Sequence, residues 1–193
     1  MTNKTNESHM TNLSNKTGGY QSLIVYQLAV EIYDLTAIFC ERFINRRSRT
    51  FDQMIQAARS GKQNITEGSL ANSTESNLKL TSVARASFGE LLEDYRDYLR
   101  QHNLPVWPKD DARVMAIRSH RTNWINWYES YLTNGESFAN LMVTLCFKEG
   151  YLLDQLLKAL KEKFIKEGGF RENLFKERLA YKTNLTNRSN RSH

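Results

Sequence analysis

The chain has 193 residues, a length that suits one compact domain flanked by tails. Hydrophobic residues make up 40% of it, which is enough for a buried core and excludes a wholly disordered protein. The 2 prolines and 9 glycines are too few for the many turns of an all-β protein. With 27 Lys and Arg against 21 Asp and Glu, the formal charge is +6, which favours anionic partners.

The two ends of the chain are polar and lack the periodicity of packed elements. Residues 1–19 have no apolar run of the kind found in secretory signals, and no segment approaches the roughly 20 apolar residues that span a bilayer. Cys40 and Cys146 lie inside helical patterns, which predicts two reduced, buried thiols. The sequence therefore predicts a cytoplasmic protein without membrane association, with disordered tails at 1–19 and 182–193.

Between the tails, apolar residues recur at steps of three and four, the spacing of one helix face. This spacing predicts a first helix from about residue 22 to 45 and a second from about 50 to 68. The apolar seam of the second helix contains Ala58, Gly61 and Gly68. Since Gly costs a helix about 1 kcal/mol relative to Ala, these small residues predict that a neighbouring backbone approaches closely.

Two longer helices follow. The third begins after Ser73 or Thr74, either of which can cap it, and continues to about residue 101. The fourth begins at the cap candidate Ser137 and continues to about residue 166, where Gly168-Gly169 stops it. Residues 168–181 then predict a basic helix that packs through Leu174, Phe175 and Leu179.

An irregular segment from about residue 103 to 136 separates the third and fourth helices. It begins with Pro105 and Pro108, which lack an amide donor and break the helical pattern. Short helices are predicted at 110–118 and 123–132. The three tryptophans lie in this segment and are predicted to anchor it to the helices: Trp107, Trp124 and Trp127.

Together these patterns define the expected fold. Four long amphipathic helices and no credible strand predict an all-α protein, an antiparallel up-down four-helix bundle over residues 20–167. The segment 103–136 is an insertion between its third and fourth helices, and residues 168–181 form a basic C-terminal extension.

Several polar residues share helix faces with core residues. A buried polar atom without a partner costs about 1–3 kcal/mol, so these residues are predicted to hydrogen bond to one another and to set the register of the helices. The predicted structural network consists of Asn64, Glu67, Ser87, Glu90 and Asn140.

An alternative interpretation is that the carboxylates of Glu67, Glu90 and Glu149 form a di-metal site, as in ferritin-like bundles. Such sites use Glu-x-x-His on two helices, and none of the 4 histidines lies three residues after a Glu. No phosphate-binding glycine loop is present, and no histidine lies within a core pattern. We therefore predict a protein that is not an enzyme and that uses no metal and no other cofactor.

Two sequence motifs carry a family resemblance. The segments Asn64-Ile65-Thr66-Glu67-Gly68 and Ala84-Arg85-Ala86-Ser87-Phe88-Gly89-Glu90-Leu91 resemble the N-I-A-E-G and A-x-x-S-x-x-E-L signatures of the bacterial four-helix bundle proteins. That family includes proteins encoded in rRNA intervening sequences and the accessory variability determinant of diversity-generating retroelements. The resemblance covers about residues 26–178 and is to a longer subgroup with a C-terminal suffix; Thr66 stands where the family usually has Ala.

The resemblance implies an up-down bundle that assembles into a ring-like homo-oligomer. In the retroelement members, a basic ring surface contacts nucleic acid and a reverse transcriptase, so RNA, DNA and such an enzyme are the expected partners. A compact retroelement protein lacks the insertion and the suffix found in this chain.

The distribution of charge adds candidate nucleic-acid contacts. Basic residues cluster between the first two helices and again near the C-terminus, and an antiparallel bundle would place these clusters at opposite ends. Because no recognition motif is visible, any binding is predicted to be independent of sequence. The candidate nucleic-acid-binding residues are Arg42, Arg46, Arg47, Arg49, Arg59, Lys62, Lys166 and Arg171.

A second hypothesis is a protein–protein scaffold without a nucleic-acid role. Its protein-binding surface would be the insertion, since Trp and Tyr are frequent interface anchors. The residues concerned are Trp124, Trp127, Tyr128 and Tyr131.

Overall fold

The computed structural model describes residues 19–120 and 127–189, with side chains to residue 184. This part of the chain is helical and contains no strand, which confirms the all-α class. Two short 3-10 helices lie at Tyr20–Ser22 and Glu129–Thr133. The α-helices are α1 (Ile24–Phe43), α2 (Arg49–Leu70), α3 (Thr74–Gln101), α4 (Ala112–Ser119), α5 (Gly135–Glu167) and α6 (Phe170–Ser189).

Side-chain caps start α2, α3 and α5, whereas α1 has none. Ser48 accepts a hydrogen bond from the Thr50 amide at the start of α2, and Ser73 accepts one from the Ser76 amide at the start of α3. The prediction of Ser137 as the cap of α5 is wrong. The side chain of Asn134 accepts the Ser137 amide at 2.9 Å, so the helix begins earlier than predicted.

Four of the helices enclose one core. Helix α1 packs against α2, α2 against α3, α3 against α5, and α5 against α1. Helix α5 runs antiparallel to α3, because Gly135 lies against Tyr98 while Gly169 lies against Glu75. We call α1, α2, α3 and the part of α5 up to residue 157 the helical core.

Aromatic rings fill one end of this core. The ring of Phe39 meets those of Tyr95, Tyr98 and Phe138 edge to face, with centroids 5.0, 4.9 and 5.3 Å apart. Edge-to-face pairs are stabilising beyond the area that they bury. The hydroxyl of Tyr95 donates to Thr36 Oγ1 at 2.9 Å, so its polar atom is satisfied inside the core.

Gly61 leaves room for a side chain rather than for a backbone. A Cβ at this position would lie 2.5 Å from Cε2 of Phe88 on α3. The predicted close approach therefore occurs, but the neighbour at Gly61 is an aromatic ring. Only the absence of a Cβ lets this ring lie so close to α2.

The insertion is held against α5 and α1. Helix α4 packs on α5, and the buried Trp107 receives further contact from the Arg113 guanidinium 3.6 Å from its ring centroid. Trp127 donates from Nε1 to Glu31 Oε1 at 2.9 Å. These two residues are anchors as predicted, whereas Trp124 lies outside the described residues. In the described part of the segment 123–132, the structure has the short 3-10 helix and no α-helix.

Helix α6 differs from its prediction in packing and in length. It has no extensive contact with any other described helix, and Leu174, Phe175 and Leu179 are all more than half exposed. The predicted packing through these three residues is therefore wrong. The helix also continues to Ser189, because no Gly or Pro after residue 181 ends it, so the tail predicted from residue 182 begins as helix.

None of the described helices combines the length and the apolar character needed to traverse a bilayer.

Candidate nucleic-acid interface

The arginines between α1 and α2 are only partly available to a ligand. Arg42 donates to the backbone carbonyl of Leu132, and Arg46 pairs with Glu41. Arg47 and Arg49 are exposed. The cluster predicted from the sequence therefore exists, but a neighbouring carboxylate offsets the charge of Arg46.

Two further candidate cations lie along α2. Arg59 is exposed, whereas the ammonium of Lys62 lies 4.5 Å from the centroid of the Tyr33 ring on α1. A cation over an aromatic face is held by the charge distribution of the ring. Lys62 thus has a structural contact that a phosphate would have to share.

Lys166 and Arg171 are exposed at the far end of the molecule. Helix α2 starts at Arg49 and covers about 33 Å in its 22 residues, and α5 ends where α3 begins. The structure therefore does not bring the eight candidate residues together. As the sequence predicts, the arginines between α1 and α2 lie at the opposite end of the helical core from Lys166 and Arg171, while Arg59 and Lys62 lie near the middle of α2.

The strongest asymmetry of charge lies elsewhere. We call residues 158–184, the last turns of α5 and the described part of α6, the C-terminal arm. The arm carries 8 Lys and Arg against 4 Glu, a net charge of +4, and all twelve side chains are exposed. The other residues whose side chains are described, 19–120 and 127–157, carry 14 Lys and Arg against 16 Asp and Glu, a formal net charge of −2.

Carboxylates on the arm offset part of its charge. Lys163 lies 3.8 Å from Glu167, and Lys176 lies 2.8 Å from Glu172. The proximity of Lys176 also holds the pKa of Glu172 below its usual range. Cations of the arm that form no ion pair within the described chain are Lys158, Lys161, Lys166, Arg171 and Arg178.

Exposed aromatic and aliphatic side chains alternate with these cations. Phe170, Phe175 and Tyr181 are all more than half exposed, and Phe175 reaches 67%. Basic side chains interleaved with open aromatic faces are the usual composition of surfaces that bind single-stranded nucleic acid.

Part of the predicted polar network is present in the structure, the part that connects Asn64 with Ser87. Asn64 donates from Nδ2 to the backbone oxygen of Ser60 at 2.8 Å and to its hydroxyl at 3.2 Å. The Ser60 hydroxyl lies 3.1 Å from that of Ser87 on α3. Asn64 and Ser87 are therefore linked through Ser60, a residue that sequence reasoning missed because a serine on a helix face carries little signal.

Glu67 and Glu90 do not belong to this network. Both side chains are exposed. Glu67 lies one position away from the buried Gly68, and Glu90 lies one position away from the buried Leu91, so each points outside the seam. The prediction that both glutamates satisfy buried partners is wrong.

Asn140 is buried, but it serves the insertion rather than the helix interface. Its Oδ1 accepts the Trp107 amide at 2.7 Å, and its Nδ2 donates to the backbone oxygens of Pro105 and Glu136. It thereby fixes the start of the insertion onto α5.

Glu149 is the exceptional polar residue of the core. It is fully buried, and neither carboxylate oxygen has a hydrogen-bond partner in the described chain. Burial raises the pKa of Glu149 well above its usual value, because the charged carboxylate would lose its hydration inside the core.

The three carboxylates proposed for a metal site do not converge, since Glu67 and Glu90 lie on the surface and Glu149 lies inside. Across the described residues, no group of three or more His, Cys, Asp or Glu side chains could hold a metal ion.

Comparison with known proteins identifies no relative. No family model matches the chain, and neither a curated protein nor a solved structure matches it significantly. The resemblance to the bacterial four-helix bundle proteins therefore stays a prediction.

Proposed function

We propose that this chain is a non-catalytic protein that binds nucleic acid through its C-terminal arm, without sequence specificity. The observation that supports the proposal is the separation of charge, with +4 on the exposed arm and −2 on the other described residues. A polyanion is attracted to the first region and repelled, on balance, by the second.

The binding mode follows from the chemistry of the arm. Exposed Lys and Arg side chains neutralise phosphates and release counterions, which makes affinity depend steeply on salt. Contacts to phosphates position a protein without reading bases. The open rings of Phe170, Phe175 and Tyr181 add stacking surface that any base can use.

The proposal includes the finer architecture. The cyclic packing of α1, α2, α3 and α5 supports an up-down four-helix bundle with an insertion between its third and fourth helices. Homo-oligomerisation would multiply the arms and raise affinity through multivalency. The family resemblance adds a nucleic-acid enzyme such as a reverse transcriptase as a further partner, in the bacterial cytoplasm.

Binding of labelled single-stranded RNA and duplex DNA, followed by fluorescence anisotropy at two salt concentrations, tests the proposal. The arm variant replaces Lys166, Arg171 and Arg178 by Gln. We expect weaker binding and a slope of log affinity against log salt that falls by about 0.9 for each duplex phosphate that the variant no longer neutralises.

The matched control removes the same charge from residues outside the arm. It replaces three exposed cations, Arg47, Arg59 and Lys79, by Gln. If position matters, this variant binds nucleic acid much more tightly than the arm variant does. Equal weakening of both variants would mean that only total charge matters, and absence of binding at low salt would refute the proposal.

A protein-interaction scaffold is the second candidate function. It is favoured by an apolar groove beside the insertion, which is distinct from the arm.

A further inference from the structure

A groove of about 770 Å³ lies where the insertion meets α3 and α5. Its volume is within the range of known ligand-binding clefts. Helix α5 contributes most of its surface, from Asn140 to Leu152, which is about 18 Å along the helix axis. The apolar and aromatic lining consists of Val106, Trp107, Val114, Val143, Phe147, Tyr151 and Leu152.

Part of this lining is open to solvent. Val106 is 51% exposed, Phe147 44% and Tyr151 63%. A contiguous apolar surface of this kind on a water-facing helix marks a site of interaction.

Four cations line the groove, and the described lining contains no carboxylate. One of them, Lys148, already donates from Nζ to the backbone oxygen of His120. Each cation comes from a different part of the chain: Arg96 from α3, Lys109 from the connection, Arg118 from α4 and Lys148 from α5. Arg96 pairs with Glu93 at 2.6 Å, but the two side chains are 40% and 65% exposed, and ion pairs near the surface contribute little stability.

The two buried polar side chains of the groove, Asn140 and Thr144, are already hydrogen bonded. Asn140 is fully engaged with the backbone of the insertion and of α5, and the hydroxyl of Thr144 donates to the Asn140 carbonyl at 2.8 Å. The surface between the cations therefore offers little hydrogen bonding to a ligand and favours an apolar one.

We infer that this groove binds an acidic amphipathic helix of a partner protein. Its length of about three helical turns matches the i, i+3/i+4, i+7 anchors of a helix in a groove. Four cations from separate elements suit a ligand with several carboxylates flanking its apolar stripe. A ligand with one anionic head group would use only part of this set.

The arm of a second copy does not fit the groove, because both are basic. Helix α6 carries Arg171, Lys176, Arg178, Lys182 and Arg188 against Glu172 and Glu177. Like charges at an interface disfavour the wrong partner.

Nucleic acid fits the groove less well than an acidic helix, since two of its three aromatic rings are already in contact with a cation. The Arg113 guanidinium lies 3.6 Å from the Trp107 centroid, and that of Arg96 lies 4.9 Å from the Phe147 centroid. Bases would find little free stacking surface. The aliphatic side chains of a bound helix would not require a free aromatic face for stacking.

The test uses the full chain and a fluorescein-labelled designed peptide of about four helical turns, with Leu at the anchor positions and Glu on both flanks. A matched peptide has Lys in place of every Glu. We expect the Glu peptide to bind at least about tenfold more tightly than the Lys peptide and to weaken as salt rises.

Two variants locate the peptide. Tyr151→Glu places a negative charge on the apolar surface and Arg118→Glu inverts one cation; each should weaken the Glu peptide by about tenfold or more. The control, Tyr181→Glu on the arm, changes a residue of matched exposure, 66% against 63%, and should leave peptide binding unchanged. Circular dichroism verifies that all three retain their helices.

Three results would overturn the inference. They are equal binding of the Glu and Lys peptides, no effect of Tyr151→Glu, or displacement of the Glu peptide by an oligonucleotide whose own binding requires Tyr151. The last result would assign the groove to nucleic acid. No groove residue belongs to the arm. The arm variant therefore tests nucleic-acid binding without changing the groove, so the two proposals can fail independently.

Discussion

The helical core and the C-terminal arm are both α-helical, yet they differ in how much of their apolar surface is buried. In the core, the helices bury their apolar faces against one another, and the charges of their acidic and basic side chains nearly cancel. In the arm, the apolar residues Phe170, Leu174 and Phe175 face solvent beside an excess of cations. Since most helical stability in proteins comes from packing, the core is stabilised by its own contacts, while the side chains of the arm stay exposed.

The largest difference between the two regions should be in the loss of unfolding free energy when an aromatic side chain is replaced by Ala. Phe39→Ala removes a fully buried ring that meets three others, and should cost about 3–5 kcal/mol of unfolding free energy. Phe175→Ala, in the arm, should change it by less than about 0.5 kcal/mol. Urea unfolding measures both; similar destabilisation by the two variants would show that the arm packs in solution.

Glu149 should make the core sensitive to pH. Above about pH 4.5 the unfolded state ionises this residue while the folded state keeps its proton, so stability falls as pH rises towards the raised folded pKa. Glu149→Met should stabilise the protein by about 1–3 kcal/mol at neutral pH, because it removes an unpartnered polar group. The gain should be larger at pH 8 than at pH 5.

The control for Glu149 lies in the arm. Glu177 is exposed, and Glu177→Met should show no such pH-dependent gain. Urea unfolding of both variants and the parent chain across this pH range measures the difference, and other titrating groups such as Asp94, whose pKa burial raises to about 6, contribute equally to each. A pH-independent effect of Glu149→Met would mean that the carboxylate has a partner.

A smaller effect should come from the contact between Gly61 and Phe88. Gly61→Ala places a methyl group against a buried ring and should cost about 1–2 kcal/mol through overpacking. Adding Phe88→Leu should recover part of this stability, since the two sites are in contact and their effects are not additive. A double-mutant cycle by urea unfolding tests the coupling; strict additivity would contradict it.

Local features of the fold could be predicted to within a few residues. The third helix is expected after Ser73 or Thr74 and begins at Thr74, and Gly168 ends α5 with a φ of 76°. Cap, stop and apolar spacing act over one or two turns, so neighbouring residues determine them.

The candidate site was less predictable, because it depends on which side of a helix meets another helix. Ser60 completes the link between Asn64 and Ser87, and Asn140 binds the insertion instead of a helix. Glu67 and Glu90 differ from the buried seam by one position, a rotation of about 100° that periodicity alone resolves poorly.

The sequence by itself determined the all-α class, most helix ends and the positive charge, because these depend on nearest neighbours or on composition alone. Tertiary structure decided that α6 stays exposed, that Glu149 lacks a partner among the described residues, and that four cations from separate elements line one apolar groove. These properties depend on the distance between residues far apart in the chain, and that distance is set only when the helices pack.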